Sequence, residues 1–128
     1  TALGKAILAN MSEPRQKEYL DNTELVAYTP DTIVDRKILE KELIQIRKQG
    51  YSISSKEALP NKSGLGASVF TSGNRIAGAI SIGLNAEDQD ADFMTSAIES
   101  LKQTAYQISF DMGCRPVENK YRFSFKNK

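Results

Sequence analysis

The chain is 128 residues long, 40% hydrophobic and 26% charged, with a formal net charge of +1; this suits one globular domain with no bulk attraction for nucleic acid or an anionic membrane. It holds no histidine and one cysteine, Cys114, which excludes Ser-His-Asp and Cys-His nucleophiles, histidine-bearing zinc sites, four-thiolate sites and an internal disulfide. Acid–base work would fall to carboxylates, lysines or tyrosines, so an enzyme is the less favoured class; with no run near the roughly 20 apolar residues of a membrane span and no secretory leader pattern, the sequence reads as cytoplasmic.

The opening TALGKAILA (1–9) reads as a helix capped by Thr1, with Leu3, Ile7 and Leu8 on its apolar side. Gly4 costs such a helix about 1 kcal/mol relative to alanine, which suggests a place where the helix approaches the sheet closely. The bare amides of the first turn could receive an anion. A second helix starts at Ser12, with Pro14 in its first turn and Tyr19 and Leu20 as anchors. LVAY (25–28) reads as a short extended piece and TPDT (29–32) as a turn. In DRKILEKELIQIRKQG (35–50), Asp35 is the N-cap, Leu39, Leu43 and Ile46 form one buried face, and Gly50 is the terminator. Residues 51–54 read as a strand, followed by the turn-rich loop EALPNKSG.

GLGASVF (64–70) and RIAGAISIGL (75–84) read as two strands joined around TSGN in a hairpin. If Thr71 pairs with Asn74, Gly64 faces Ser81, Gly66 faces Ala79 and Ser68 faces Ala77. Leu65, Ala67 and Val69 then share a bulky face with Ile76, Ile80 and Ile82, while the other face carries only glycine, alanine and serine. A face that small is filled either by a helix packed tightly on it or by a ligand, with the Ser68 and Ser81 hydroxyls as candidate donors. Met94, Ala97, Ile98, Leu101, Ala105, Ile108 and Met112 keep a helical period until Gly113.

Other groupings have plain readings beside sharper ones. Glu87, Asp88, Asp90 and Asp92 lack the glycine of a calcium loop and suit a helix N-terminus. Lys37, Lys41, Arg47 and Lys48 are interrupted by Glu40 and Glu42 and read as a solvated face. The tail CRPVENKYRFSFKNK (114–128) has five basic residues against one acidic, and Tyr121, Phe123 and Phe125 alternate as in a strand. It reads as an edge strand or an appended tail, with a short single-strand nucleic-acid contact as the sharper, less favoured alternative. Cys114, just after a helix, reads as a structural or idle thiol.

Three stretches in order, TALGKAILA, TPDTIVDRKILEKELIQIRKQGYSIS and ASVFTSGNRIAGAISIGL, closely resemble the effector-binding domain of IclR-type bacterial transcription regulators. The resemblance covers most of residues 1–113 and implies an α/β (α+β) fold: a GAF-like domain whose central, mainly antiparallel sheet is flanked by helices. It implies residues 1–113 as the C-terminal portion of that domain and 114–128 as a basic-aromatic extension. The helix-turn-helix domain and upstream strands would lie outside this chain, with the 121–125 strand a candidate to supply one sheet edge. The implied partners are a small-molecule effector, commonly an organic acid, a second copy in a dimer or tetramer, and DNA only through the separate domain. No cofactor, metal or membrane is implied. The carried-over ligand positions are Ala2, Leu3 and Gly4 at the helix start, Ser54, Lys62 and Gly64 after the GY strand, and Ser81 and Gly83 in the last strand. Ser54, Lys62, Gly64 and Gly83 depart from the acidic, apolar, cysteine and serine residues of keto-acid-binding members. A roomier, less acidic site follows, in which an inward Lys62 would favour an anion. The alternatives are a dimerisation module with a vestigial pocket, or an enzyme on a GAF-like scaffold.

Overall fold

The computed structural model describes residues 1–85, 87 and 90–115. Among them four α-helices, α1 (Ala2–Ala9), α2 (Glu13–Asp21), α3 (Arg36–Gln49) and α4 (Ala91–Asp111), surround three strands, β1 (Ser52–Ser55), β2 (Lys62–Thr71) and β3 (Arg75–Asn85). The strands form an antiparallel sheet in the order β1-β2-β3. The expected strand at 121–125 and the rest of the basic tail beyond Arg115 lie outside the described residues, as does Asp88. No helix of the described residues is long and apolar enough to cross a membrane.

The local signals place the helix ends. Asp35 Oδ1 accepts hydrogen bonds from the Lys37 and Ile38 amides at 2.8 and 3.3 Å, which stabilises the start of α3. Gly50 ends α3 at φ 87°, a conformation glycine adopts without penalty. Asp90 Oδ2 accepts from Phe93 N and Asp92 lies in the first turn of α4, so these two carboxylates complement the helix dipole. Residues 25–28 join no strand. Of the two anchors expected in α2, Leu20 is buried and Tyr19 is 48% exposed.

The hairpin turns through Ser72–Asn74, with Gly73 and Asn74 both at positive φ, rather than through a two-residue loop. Thr71 pairs with Arg75, and an irregularity between Val69 and Phe70 shifts the register. Gly64 therefore faces Gly83, Gly66 faces Ser81 and Ser68 faces Ala79, each two residues from the expected partner. Side-chain orientation repeats every two residues, so a slip of two leaves both faces as read from the sequence. The bulky face of Leu65, Ala67 and Val69, with Ile80 and Ile82, packs on Ala97, Leu101 and Ala105 of α4.

The small face is covered by α1, which also packs on α3. The buried stripe of α1 is Ala2, Lys5, Ala6 and Ala9, joined by Leu8. Leu3, expected on the apolar side, is exposed, and Ile7 is only half-buried. A sheet face built from glycine and serine accepts only small side chains if the helix is to reach contact, so the alanines turn inward. The close approach is at Gly66, where a Cβ would lie 2.6 Å from the Ala2 carbonyl oxygen. Gly4, expected to be that point, is exposed and would meet only its own cap, Thr1 Oγ1, at 3.1 Å. Two buried serines fasten the helix to the sheet: Ser52 Oγ donates to Ala2 O at 2.6 Å and Ser68 Oγ donates to Ala6 O at 2.7 Å. Ser68 is thus committed to α1 rather than offered to a ligand.

Behind α1, Leu8, Ala9, Leu20, Leu39, Leu43 and Ile46 form a second apolar cluster. Burying Leu43 and Ile46 contributes on the order of 1.5–3 kcal/mol each. Arg47 reaches over it, its Nε and Nη2 donating to Ala9 O and Met11 O at 2.9 and 2.5 Å. It thereby satisfies carbonyls left open at and just beyond the end of α1.

Candidate ligand pocket

The amino end of α1, β1, the loop of residues 56–61 and the adjoining ends of β2 and β3 bound a cavity of about 180 Å³. Its depth follows from missing side chains. At Gly83 a Cβ would find nothing within 4 Å, and at Gly64 it would only touch Ala2 Cβ and Ile82 O at 3.5 Å.

Seven of the expected ligand positions meet here: Ala2, Leu3, Ser54, Lys62, Gly64, Ser81 and Gly83 all line the cavity. Gly4 does not. It faces a separate groove on the outer side of α1, with Ile7, Leu8, Met11 and Tyr19. Thr1, Ala58, Leu59, Ser63 and Ile82 complete the lining. Ala58 and Leu59 were not legible beforehand, because turn-forming residues in EALPNKSG do not specify which way the loop folds.

Polar groups enter from three sides. Thr1 takes two amides of the first helical turn, Oγ1 accepting from Gly4 N at 3.1 Å and the carbonyl from Lys5 N at 3.0 Å. The Ala2 and Leu3 amides precede these, at the positive end of the helix, beside the cavity. Ser54 is buried on β1, and Ser81 stands opposite Gly66 on β3. Lys62 starts β2 at the rim, where its Nζ donates to Asn85 Oδ1 at 2.6 Å. There the cavity adjoins a wider cleft of about 1040 Å³, with Leu59, Lys62, Ser63 and Gly83 common to both and Glu87 and Phe93 on its far side. Among the described residues no three His, Cys, Asp or Glu side chains converge to hold a metal ion.

The loop 56–61 is held from behind. Its backbone takes a positive φ of 59° at Lys56. Thr29 Oγ1 donates to Lys56 O at 2.5 Å, and Thr32 Oγ1 donates to Glu57 O. Lys5 Nζ donates to Glu57 Oε2 at 2.8 Å, Glu42 Oε1 at 2.6 Å and Ile53 O at 2.5 Å, so every ammonium proton is used. Lys5 is 6% exposed. A signal for it existed: Ala2, Lys5, Ala6 and Ala9 fall at i, i+3, i+4 and i+7, one helical stripe. The lysine's charge directs attention to solvent instead.

Against known proteins, a family model described as bacterial transcriptional regulator IclR C-terminal matches residues 1–110. The chain belongs to this IclR family. The HTH-type transcriptional repressor AllR of Salmonella paratyphi A is 33% identical over 113 residues, covering 88% of this chain and 42% of AllR. The crystal structure of the Thermotoga maritima IclR superposes with a TM-score of 0.85 at 33% identity, over 89% of this chain and 46% of that one. The C-terminal domain of the Escherichia coli regulator KdgR superposes at 0.84 with 26% identity, over 89% of this chain and 70% of that one. The chain spans less than half the length of the curated relatives it matches. What has been described is therefore the fold of an IclR-type C-terminal domain, and the relatives that share it are transcriptional regulators.

Proposed function

We propose that this IclR-type domain senses a small organic anion and is not an enzyme. The observation that carries the reading is the convergence, on one cavity of about 180 Å³, of the α1 amino terminus, the buried Ser54 and the side-chain-free floor at Gly64 and Gly83. The Ala2 and Leu3 amides would receive a carboxylate. Ser54 and Ser81 would orient the remainder, and Lys62 would turn from Asn85 to add charge at the mouth. The volume suits a ligand of few atoms, since sites for drug-sized molecules span about 300–1,000 Å³. A longer ligand would extend past Lys62 into the cleft. Binding would favour one arrangement of subunits, dimer or tetramer, and so respace DNA-binding domains in the longer regulator, a shift between existing states. Residues 1–113 would be the sensing unit and 114–128 an appended segment, acting in the cytoplasm.

Thermal unfolding with a panel of two- to six-carbon mono- and dicarboxylates, and mass spectrometry of the same mixtures, tests this. A ligand at 100 times its Kd stabilises by about 2.7 kcal/mol. Stabilisation without chemical conversion is expected. Conversion would make the protein an enzyme, and no shift with any carboxylate would leave a dimerisation module with an empty pocket.

A further inference from the structure

Resting on the reading of this cavity as a ligand site, we propose that Lys5 is a positioning residue that holds one of its walls closed. Lys5 does not line the cavity; it borders a neighbouring groove with Glu57 and Ala58, and Ala58 is shared with the cavity, whose wall it forms with Leu59. The Lys5 ammonium grips that wall through Glu57, whose side chain is only 12% exposed. The same ammonium holds β1 at Ile53 O and α3 at Glu42, and its own backbone belongs to the helix whose start forms the opposite side of the cavity. One group therefore fixes the distance between helix start and loop.

The arrangement is stiff because its charges are mutually dependent. Glu57 and Glu42 are partly withdrawn from water and tolerated there because Lys5 is present. Removing the ammonium leaves a low-dielectric site with unpaired carboxylates, which regain hydration by moving outward. Glu57 is the one carried by a loop, so it moves, and Ala58 and Leu59 move with it. The Thr29 and Thr32 hydroxyls hold the Lys56 and Glu57 carbonyls and act as a hinge about which the Glu57 side chain, Ala58 and Leu59 swing, rather than as a latch. Lys5 thus sets how often this wall opens and, through that, whether the cavity has a second passage besides its mouth at Lys62.

The test uses no ligand. Ser54, buried inside the cavity, is replaced by cysteine, and its labelling by the aromatic disulfide DTNB is timed. Native Cys114, fully buried in the core between the sheet and α4, is timed alongside as the reporter of general opening. Lys5→Met should speed labelling at position 54 by about tenfold or more, through local opening alone, and leave Cys114 unchanged. Glu57→Ala, which removes the loop's grip on the ammonium, should do the same and carries the test if Lys5→Met fails to fold. The double variant should add little to either single one, because both break one contact. An unchanged rate at position 54 would overturn the proposal by showing that the threonines suffice. Equal acceleration at Cys114 would overturn it by showing that Lys5 serves general stability. A failed carboxylate panel would remove the ligand reading and leave these rates as they are.

Discussion

Gly66 of β2 and Ala2 of α1 meet backbone to backbone: a Cβ at residue 66 would stand 2.6 Å from the Ala2 carbonyl oxygen and 2.8 Å from Ser52 Oγ. Neither neighbour can give way freely, since Ser52 Oγ is donating to that same carbonyl. Gly66→Ala should therefore destabilise the domain by about 1–3 kcal/mol, as overpacking does. Gly78, with open space around its Cβ position, is the control, and Gly78→Ala should be neutral or mildly stabilising. Urea unfolding of the two variants measures the difference, and equal midpoints would refute it.

Gly83 gives the opposite expectation for the same substitution class. A side chain there meets nothing in the protein and projects into the cavity. Gly83→Val should fold with a midpoint no lower than the parent, because valine favours strands and glycine weakens them. It should also lose any thermal shift produced by a carboxylate. A folded Gly83→Val domain that responds to ligand like the parent would place binding elsewhere.

The start of α3 depends on one side chain. Asp35→Ala should cost about 1 kcal/mol, because two first-turn amides lose their acceptor, whereas Asp35→Asn should cost only a few tenths. Chemical denaturation separates the two. A similar loss in both would mean that charge, not the cap hydrogen bonds, matters.

Much of this was readable in the chain. The Asp35 cap, the Leu39-Leu43-Ile46 face and the Gly50 terminator are local features, each fixed within one or two helical turns. The two faces of the hairpin were readable too, since they depend on parity alone, but their pairing was not. The three-residue turn and the bulge near Val69 act together to displace Gly64 from Ser81 to Gly83. The orientation of α1 was misjudged for a related reason. Leu3 and Ile7 are its larger apolar residues, yet what the helix must match is a surface of glycine and serine formed some sixty residues later. Seven of the eight positions that the family resemblance implies fall around one cavity, because a shared fold brings the same helix start, strand ends and loop together. Gly4 lies outside that cavity because its exposure depends on the same helix rotation.

Asp21, at the end of α2, accepts from Lys17 Nζ at 2.8 Å and from Arg36 Nη1 at 2.6 Å. These two hydrogen bonds, Lys17's first and Arg36's second, hold its carboxyl below the ordinary aspartate range. A carboxyl shifted downward stabilises the fold above the pKa of the free acid and loses that contribution as pH falls through its folded value. Asp21→Asn should accordingly be less stable than the parent near neutrality, and the gap should close below about pH 4. Thermal midpoints of both proteins from pH 7 to pH 3 test this; a gap that stays constant would show the link between α2 and α3 to be inert.

Lys5 joins partners 37, 48 and 52 residues away along the chain. None of these contacts can form until α3, β1 and the following loop have found one another, so the order of assembly is constrained. The hairpin and the long helices can organise from near neighbours, whereas the amino-terminal helix must wait for a seat with both carboxylates in place. The ammonium's full contribution is then expected only after the folding barrier is crossed. A weakened Lys5 would leave refolding at nearly its normal speed and hasten unfolding. The residue that closes the cavity wall would thus also govern how long the folded domain lasts once made.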